Sequence, residues 1–255
     1  MEVLIHTTAA EGAQVVADVV ERAVRAGPAV LGLATGSSPL LAYRELTRRH
    51  REEGLSFACV EAFLLDEYVG LPAGHPQSYR EVIRRELTDP LDVDPARVHA
   101  PDGTHPDPPA AAAAYERTLL PVGVQILGIG ANGHLGFNEP GSSLTSTTRV
   151  KTLARQTRED NARFFAGVED VPRHVITQGL GTIGRAGHLV LTVAGEHKAA
   201  AVAAAVEGPL TASCPASILQ WHPHVTIVLD DAAASRLERA GFYREIADRK
   251  PGWAR

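Results

Sequence analysis

Short unbroken apolar runs alternate with amphipathic stretches along the chain, and the runs set the expected architecture. Residues 29–33, 59–65, 122–130, 188–193 and 225–229 each read as a buried strand, short and bounded by turn residues. Helical patterns follow most of them, over 39–50, around 78–87 and over 196–207. Another helix starts at Ala110, where Tyr115 and Leu119 continue an i, i+4 face. Apolar runs this continuous suit strands covered on both faces. The predicted fold is a doubly wound, Rossmann-like α/β sheet, mostly parallel, with helices on both sides. Ligands of such sheets sit outside the carboxyl ends of the strands, so the residues just after each run carry the functional interest. The pattern starts within the first few residues and shows no internal repeat or second-domain boundary, predicting one domain over 1–255. Residues 101–109 form a proline-rich loop. Residues 141–186 carry weak strand signals and many polar positions, and are expected to form a mobile flap over the sheet.

Composition narrows the function classes. Of the 255 residues 44% are hydrophobic and 22% charged, which excludes general disorder. Acidic residues outnumber basic ones, 30 to 25, for a net charge of −5, so no nucleic-acid partner is expected. The opening residues lack a basic leader with an apolar core, and no stretch approaches a membrane span. Cys59 and Cys214 suit neither a disulfide scaffold nor a metal-ligand spacing. A cytoplasmic globular protein is the expectation, with no membrane partner.

Four places along the chain could carry chemistry. In Leu31-Gly32-Leu33-Ala34-Thr35-Gly36-Ser37-Ser38-Pro39 a strand ends in a small-residue turn and proline opens a helix. Gly36 permits close backbone approach, and Ser37 and Ser38 place hydroxyls beside unpaired helix amides, either as a phosphate cradle or as a plain N-cap. Asp66 and Glu67 then put two adjacent carboxylates at the end of a buried run. Unless the turn is solvated, such groups are costly to bury. Alternation along an extended chain sends one toward the cleft and the other toward the scaffold. The third place, 126–140, contains Gly128, Gly130 and Gly133 in a dinucleotide-like pattern. Gly136, Asn138 and Pro140 interrupt the helix which that fingerprint needs. What the loop does offer is His134 flanked by Asn132 and Glu139, an imidazole whose tautomer and basicity a nearby carboxylate could fix. The fourth place is Lys198, in the first turn of its helix against the macrodipole, a conflict that an anionic ligand would remove; a solvated side chain is the plain alternative. Arg163 sits among aromatics and has the fork geometry for phosphate.

Together these segments resemble the glucosamine-6-phosphate deaminase (isomerase) family. The resemblance is carried by residues 31–39, by Leu-Asp-Glu-Tyr-Val-Gly-Leu-Pro at 65–72 with His75-Pro76 and Ser78-Tyr79, and by Gly-Ile-Gly-Ala-Asn-Gly-His-Leu-Gly-Phe-Asn-Glu-Pro at 128–140. It continues through 142–144, 148–153, 161–165 and 195–199, in family order and over nearly the whole chain. It implies conversion of glucosamine 6-phosphate and water into fructose 6-phosphate and ammonia, with no metal and no cofactor. Asp66 would move a proton from carbon 2 toward carbon 1. His134, supported by Glu139 and held by Asn132, would open the sugar ring. Asn132 stands where some members have Asp; lacking that charge, His134 is expected to have a lowered pKa. Gly36, Ser37, Ser38, Arg163 and Lys198 match the phosphate site. Ser142, Arg149, Lys151 and Thr152 match the activator site of allosteric members, with which a homo-oligomer is associated. The resemblance implies an amino-sugar phosphate as the small-molecule partner, with a galactosamine epimer open as substrate. A related phosphosugar lactonase is the nearest alternative, and a sugar-phosphate sensing domain of a transcription regulator the non-enzymatic one.

Overall fold

The computed structural model describes residues 1–251. From the amino end, the chain forms β1 (Glu2–His6), α1 (Ala9–Arg25), β2 (Val30–Leu33), α2 (Leu40–Glu53) and β3 (Glu61–Leu64). It continues through β4 (Asp66–Tyr68), α3 (Tyr79–Ile83), β5 (Val98–His99), α4 (Pro108–Thr118) and β6 (Val124–Leu127). β7 (Arg149–Thr152), α5 (Arg155–Asn161), β8 (His174–Thr177) and α6 (Leu180–Ile183) come next. The described chain closes with β9 (His188–Val193), α7 (Ala199–Val206), β10 (Val225–Asp230) and α8 (Ala240–Asp248). No helix among the described residues is long and apolar enough to cross a membrane.

Seven strands form one sheet in the order β1-β10-β9-β6-β2-β3-β5, and every pairing in it is parallel. Alternation within β9 shows why its run is apolar throughout. Leu189, Leu191 and Val193 face one core layer with α7, whereas Val190 faces the other layer with α1 and α2. Both faces are covered, as the continuous apolar runs require. From β2 the chain proceeds to β3 on one side, whereas β6 lies beside β9 on the other. The loops after β2 and β6 therefore diverge at a topological switch point, where this class of sheet opens a crevice.

The stretch with weak strand signals, 141–186, supplies β7 and β8, which join β4 in a three-stranded antiparallel sheet, β4-β8-β7. Their signals are weak for a physical reason: β7 is Arg-Val-Lys-Thr, half-buried to exposed, and lies at the edge of its sheet. Glu116 on α4 fastens this layer. It accepts from the Thr148 amide at 3.0 Å and from its hydroxyl, from Thr182 Oγ1 at 3.0 Å, and from Arg185 at 2.5 Å.

Helix α1 follows from its own sequence as well. Thr8 accepts from the Glu11 amide and Glu11 returns a bond to the Thr8 amide, a complete capping box. Val16, Ala17 and Val20 are fully buried along one stripe. Thr8→Ala removes the cap oxygen and is expected to cost about 1 kcal/mol, read as a lower urea midpoint at unchanged m-value.

Candidate active site

Outside the carboxyl ends of β2 and β6 lies a cavity of about 410 Å³, a size suited to a small ligand. Its lining brings together Gly36, Ser37 and Ser38 from the turn after β2, Asp66 from β4, His134 from the glycine loop, and Arg163 and Lys198. These seven come from five separate stretches of the chain.

Asp66 stands where β3 leaves the main sheet and the chain enters β4 of the second one. At 4% exposure it is buried, whereas its pocket-facing carboxyl makes no hydrogen bond among the described residues. Burial, and then the neighbouring Glu67, hold its pKa well above the ordinary carboxylate value. Gly136, at φ +56°, crosses close by: a Cβ there would lie 3.1 Å from Asp66 Oδ2 and 3.0 Å from Thr177 Oγ1. A side chain at 136 would crowd the carboxyl, so this glycine keeps Asp66 open to the cavity.

The imidazole of His134 lies over Gly130, where any Cβ would fall 2.1 Å from the ring. Asn132 Oδ1 faces both the His134 amide, at 3.3 Å, and ring Nδ1, at 2.7 Å. Because the amide N–H must donate, that atom is the oxygen, and ring Nδ1 carries the hydrogen. Nε2 is then the free, basic nitrogen. Burial lowers the His134 pKa, and Lys198 lowers it further, whereas Glu139 and Asp160 oppose the shift. The direction expected from Asn132 is found, with desolvation as its leading cause.

Glu139 does not reach the ring as the sequence suggested. Its carboxylate accepts from the Ala154 amide, at 3.0 Å, and from the Thr157 hydroxyl, fastening the start of α5. Its support of His134 is a through-space charge without a hydrogen bond. The chain bends at Gly136, Asn138 and Pro140, so proximity in sequence did not become contact.

At the far end, Lys198 precedes α7 and donates to Ser38 Oγ at 2.9 Å. The predicted helix 196–207 is thus a 3₁₀ turn, Glu196–Lys198, followed by α7. Pro39 similarly stands at the N-cap, with α2 beginning at Leu40, and no side chain caps that helix. Burial, and then Arg163, push the Lys198 pKa down. Two cations therefore face one space, and neither forms an ion pair among the described residues. Arg163 lies over the Phe164 ring at 4.7 Å.

Ser142, Arg149, Lys151 and Thr152 do not line this cavity. Ser142 is buried with its hydroxyl unpartnered among the described residues, and the other three lie on β7. Conversely, Tyr79, Phe137, Thr157, Asp160 and His197 line it without having been singled out as site residues. Tyr79 stacks on Phe137 at 5.8 Å and nearly parallel, forming an apolar wall. Thr157 and Asp160 carry no local sequence signal, since the fold of 141–186 alone brings them over the sheet.

Comparison with known proteins agrees with this geometry. The family described as glucosamine-6-phosphate isomerases/6-phosphogluconolactonase matches residues 4–228. A glucosamine-6-phosphate deaminase of Rhodococcus jostii (strain RHA1) is 59% identical over 99% of both chains. One of Corynebacterium kroppenstedtii is 55% identical over the full length of both. A solved structure of a monomeric glucosamine-6-phosphate deaminase superposes with a TM-score of 0.90 at 40% identity, covering 92% of this chain and 99% of that one. The 6-phosphogluconolactonase of Trypanosoma brucei shares the fold, with a TM-score of 0.75 at 20% identity over 92% of this chain and 98% of its own. The chain belongs to the glucosamine-6-phosphate isomerase/6-phosphogluconolactonase family.

Proposed function

We propose that the protein deaminates and isomerises glucosamine 6-phosphate, giving fructose 6-phosphate and ammonia in the cytoplasm. The observation that carries this reading is the sharing of one cavity by a buried carboxyl of raised pKa, an imidazole with a free Nε2, and two cations without an ion pair among the described residues. The relatives' names point the same way.

The phosphate is held by Lys198, Arg163 and the hydroxyls of Ser37 and Ser38. Its binding energy fixes a flexible open-chain sugar with carbon 2 beside Asp66. His134 Nε2 takes the proton of the anomeric hydroxyl and returns one to the ring oxygen, which opens the ring. Asp66, ionised, removes the proton from carbon 2 as the carbon-2 ammonium passes one to the carbon-1 oxygen, leaving an enolamine, and then delivers its proton to carbon 1, which gives the carbon-2 iminium. Water then adds to the carbon-2 iminium, and the carbinolamine releases ammonia. A base for the carbon-2 step works best with a pKa near the working pH, and burial moves Asp66 in that direction.

Incubation with glucosamine 6-phosphate should release ammonia and fructose 6-phosphate in equal amounts. A parallel incubation with galactosamine 6-phosphate reads the epimer preference. Hydrolysis of 6-phosphogluconolactone without ammonia release from either amino sugar would overturn the proposal in favour of a lactonase.

A further inference from the structure

The two adjacent carboxyls at 66 and 67 have opposite surroundings. Asp66 opens to the cavity and accepts no hydrogen bond among the described residues, whereas Glu67 is turned away and accepts three. Glu67 Oε1 accepts from the Tyr68 amide at 2.8 Å and the Tyr79 amide at 2.9 Å, and Oε2 accepts from the Arg80 amide at 2.9 Å. Two of those donors belong to the first turn of α3, and the next, the Glu81 amide, is taken by Ser78 Oγ at 3.3 Å. Glu67 is only 5% exposed. The proline-rich loop seals it from outside: a Cβ on Gly103 would lie 3.2 Å from Glu67 Cγ and 1.9 Å from the Tyr68 carbonyl.

We infer that Glu67 is a positioning residue of the site: its carboxylate, gripped by three backbone N–H groups, fixes the α3 wall against the strand end that carries Asp66 and keeps a negative charge behind that carboxyl. The inference rests on the reading of Asp66 as the carbon-2 base. Three donors aimed at one buried carboxyl favour its ionised form. Because like charges side by side disfavour double ionisation, Glu67 ionises first and Asp66 holds its proton to higher pH. Burial raises the Glu67 pKa, whereas the three amide donors, and then the Arg80 charge, oppose that shift. Around Asp66 the other groups are the hydroxyls of Tyr68 on β4, Tyr79 on α3, Tyr115 on α4 and Thr177 on β8, with His134, Lys198 and Arg163 elsewhere on the cavity wall. Neither cation forms an ion pair with Asp66 among the described residues, and the charge that acts on it is that of Glu67. Glu67 also holds the Tyr79 ring where it lines the cavity.

Glu67→Gln keeps the size and removes the charge, and its amide nitrogen cannot accept an N–H. The acid limb of its kcat/KM profile is expected to move down by about one pH unit, together with about a tenfold loss at neutral pH as α3 loosens. Glu67→Asp keeps the charge and withdraws it, so the rate should fall with the limb moved less. Coincident limbs in wild type and Glu67→Gln would overturn the inference, whatever the loss in rate. Carboxyl ¹³C titration of the unaltered protein supplies a test without a variant or a substrate. Glu67 should lose its proton at lower pH than Asp66, and the reverse order would equally overturn it. Absence of ammonia release by the wild type, with the titration order as expected, would condemn the functional reading and leave the charge arrangement standing.

Discussion

Asp66→Asn should lower kcat by about 10²- to 10⁴-fold and stop exchange of the carbon-2 hydrogen with solvent, in a protein that folds better than the wild type. Asparagine has the shape of the carboxyl but cannot carry the proton. No hydrogen bond to Asp66 is lost among the described residues, so the structural cost is small. The stability change has a definite sign. Asp66 has a folded pKa well above the unfolded 3.8, for reasons of burial and then Glu67. Below 3.8 the carboxyl is neutral in both states, and its contribution is fully present. Between that value and the folded one, the native protein holds a proton that the unfolded chain has released. Wild-type stability then falls by up to about 1.4 kcal/mol per pH unit until the folded value is passed. The variant lacks this slope. Urea midpoints of the two proteins should approach each other in acid and separate as pH rises, with Asp66→Asn the more stable. Near-normal exchange at carbon 2 would remove Asp66 from its role, and parallel stability curves would show that it is not protonated in the fold.

That one of the carboxyls at 66 and 67 faces the cleft was legible because the pair follows directly on a buried run and alternates; that it is Asp66 came from the family resemblance, and Asp66 does line the cavity. The same rule placed Gly36–Ser38 and His134, each at the end of a strand whose apolar residues are continuous. β9 matches its predicted bounds, and α2 falls within a few residues. Local pattern failed wherever a contact is made by tertiary closure. β4 is only Asp-Glu-Tyr and exists because β8 pairs with it. Glu139 could be placed near His134 in sequence, but its direction depends on the bend at 136–140 and on Thr157, which folds back from α5. The bond between Lys198 and Ser38 spans 160 residues, and no period in either segment encodes it. Chemistry at strand ends is readable one segment at a time, whereas partners supplied by the second sheet become visible only once the chain has folded.

Lys198→Met and Arg163→Ala should each lower kcat/KM for glucosamine 6-phosphate by about 10- to 100-fold, since charged hydrogen bonds of this kind are worth about 1.5–3 kcal/mol. Reaction with unphosphorylated glucosamine, slow in every case, should hardly change. The empty protein supplies the more searching test. Lys198 is held partly out of water beside Arg163, and both influences push its pKa down. Lys198→Met therefore removes a repulsion and a desolvated charge, and the ligand-free protein should melt at the same temperature or higher. Inorganic phosphate should reverse that ranking. If held by the native cation pair, it should stabilise the wild type by RT ln(1 + [L]/Kd), about 2.7 kcal/mol at a hundred times Kd. Arg163→Ala loses the bidentate fork and Lys198→Met the point charge, so both should respond to phosphate far less. Equal phosphate stabilisation in all three proteins, or a parallel loss on phosphorylated and unphosphorylated sugars, would show that this pair binds something other than the phosphate. A wild type destabilised by its own cations when empty and rescued by an anion is the behaviour expected of a cavity whose charge is completed by its substrate.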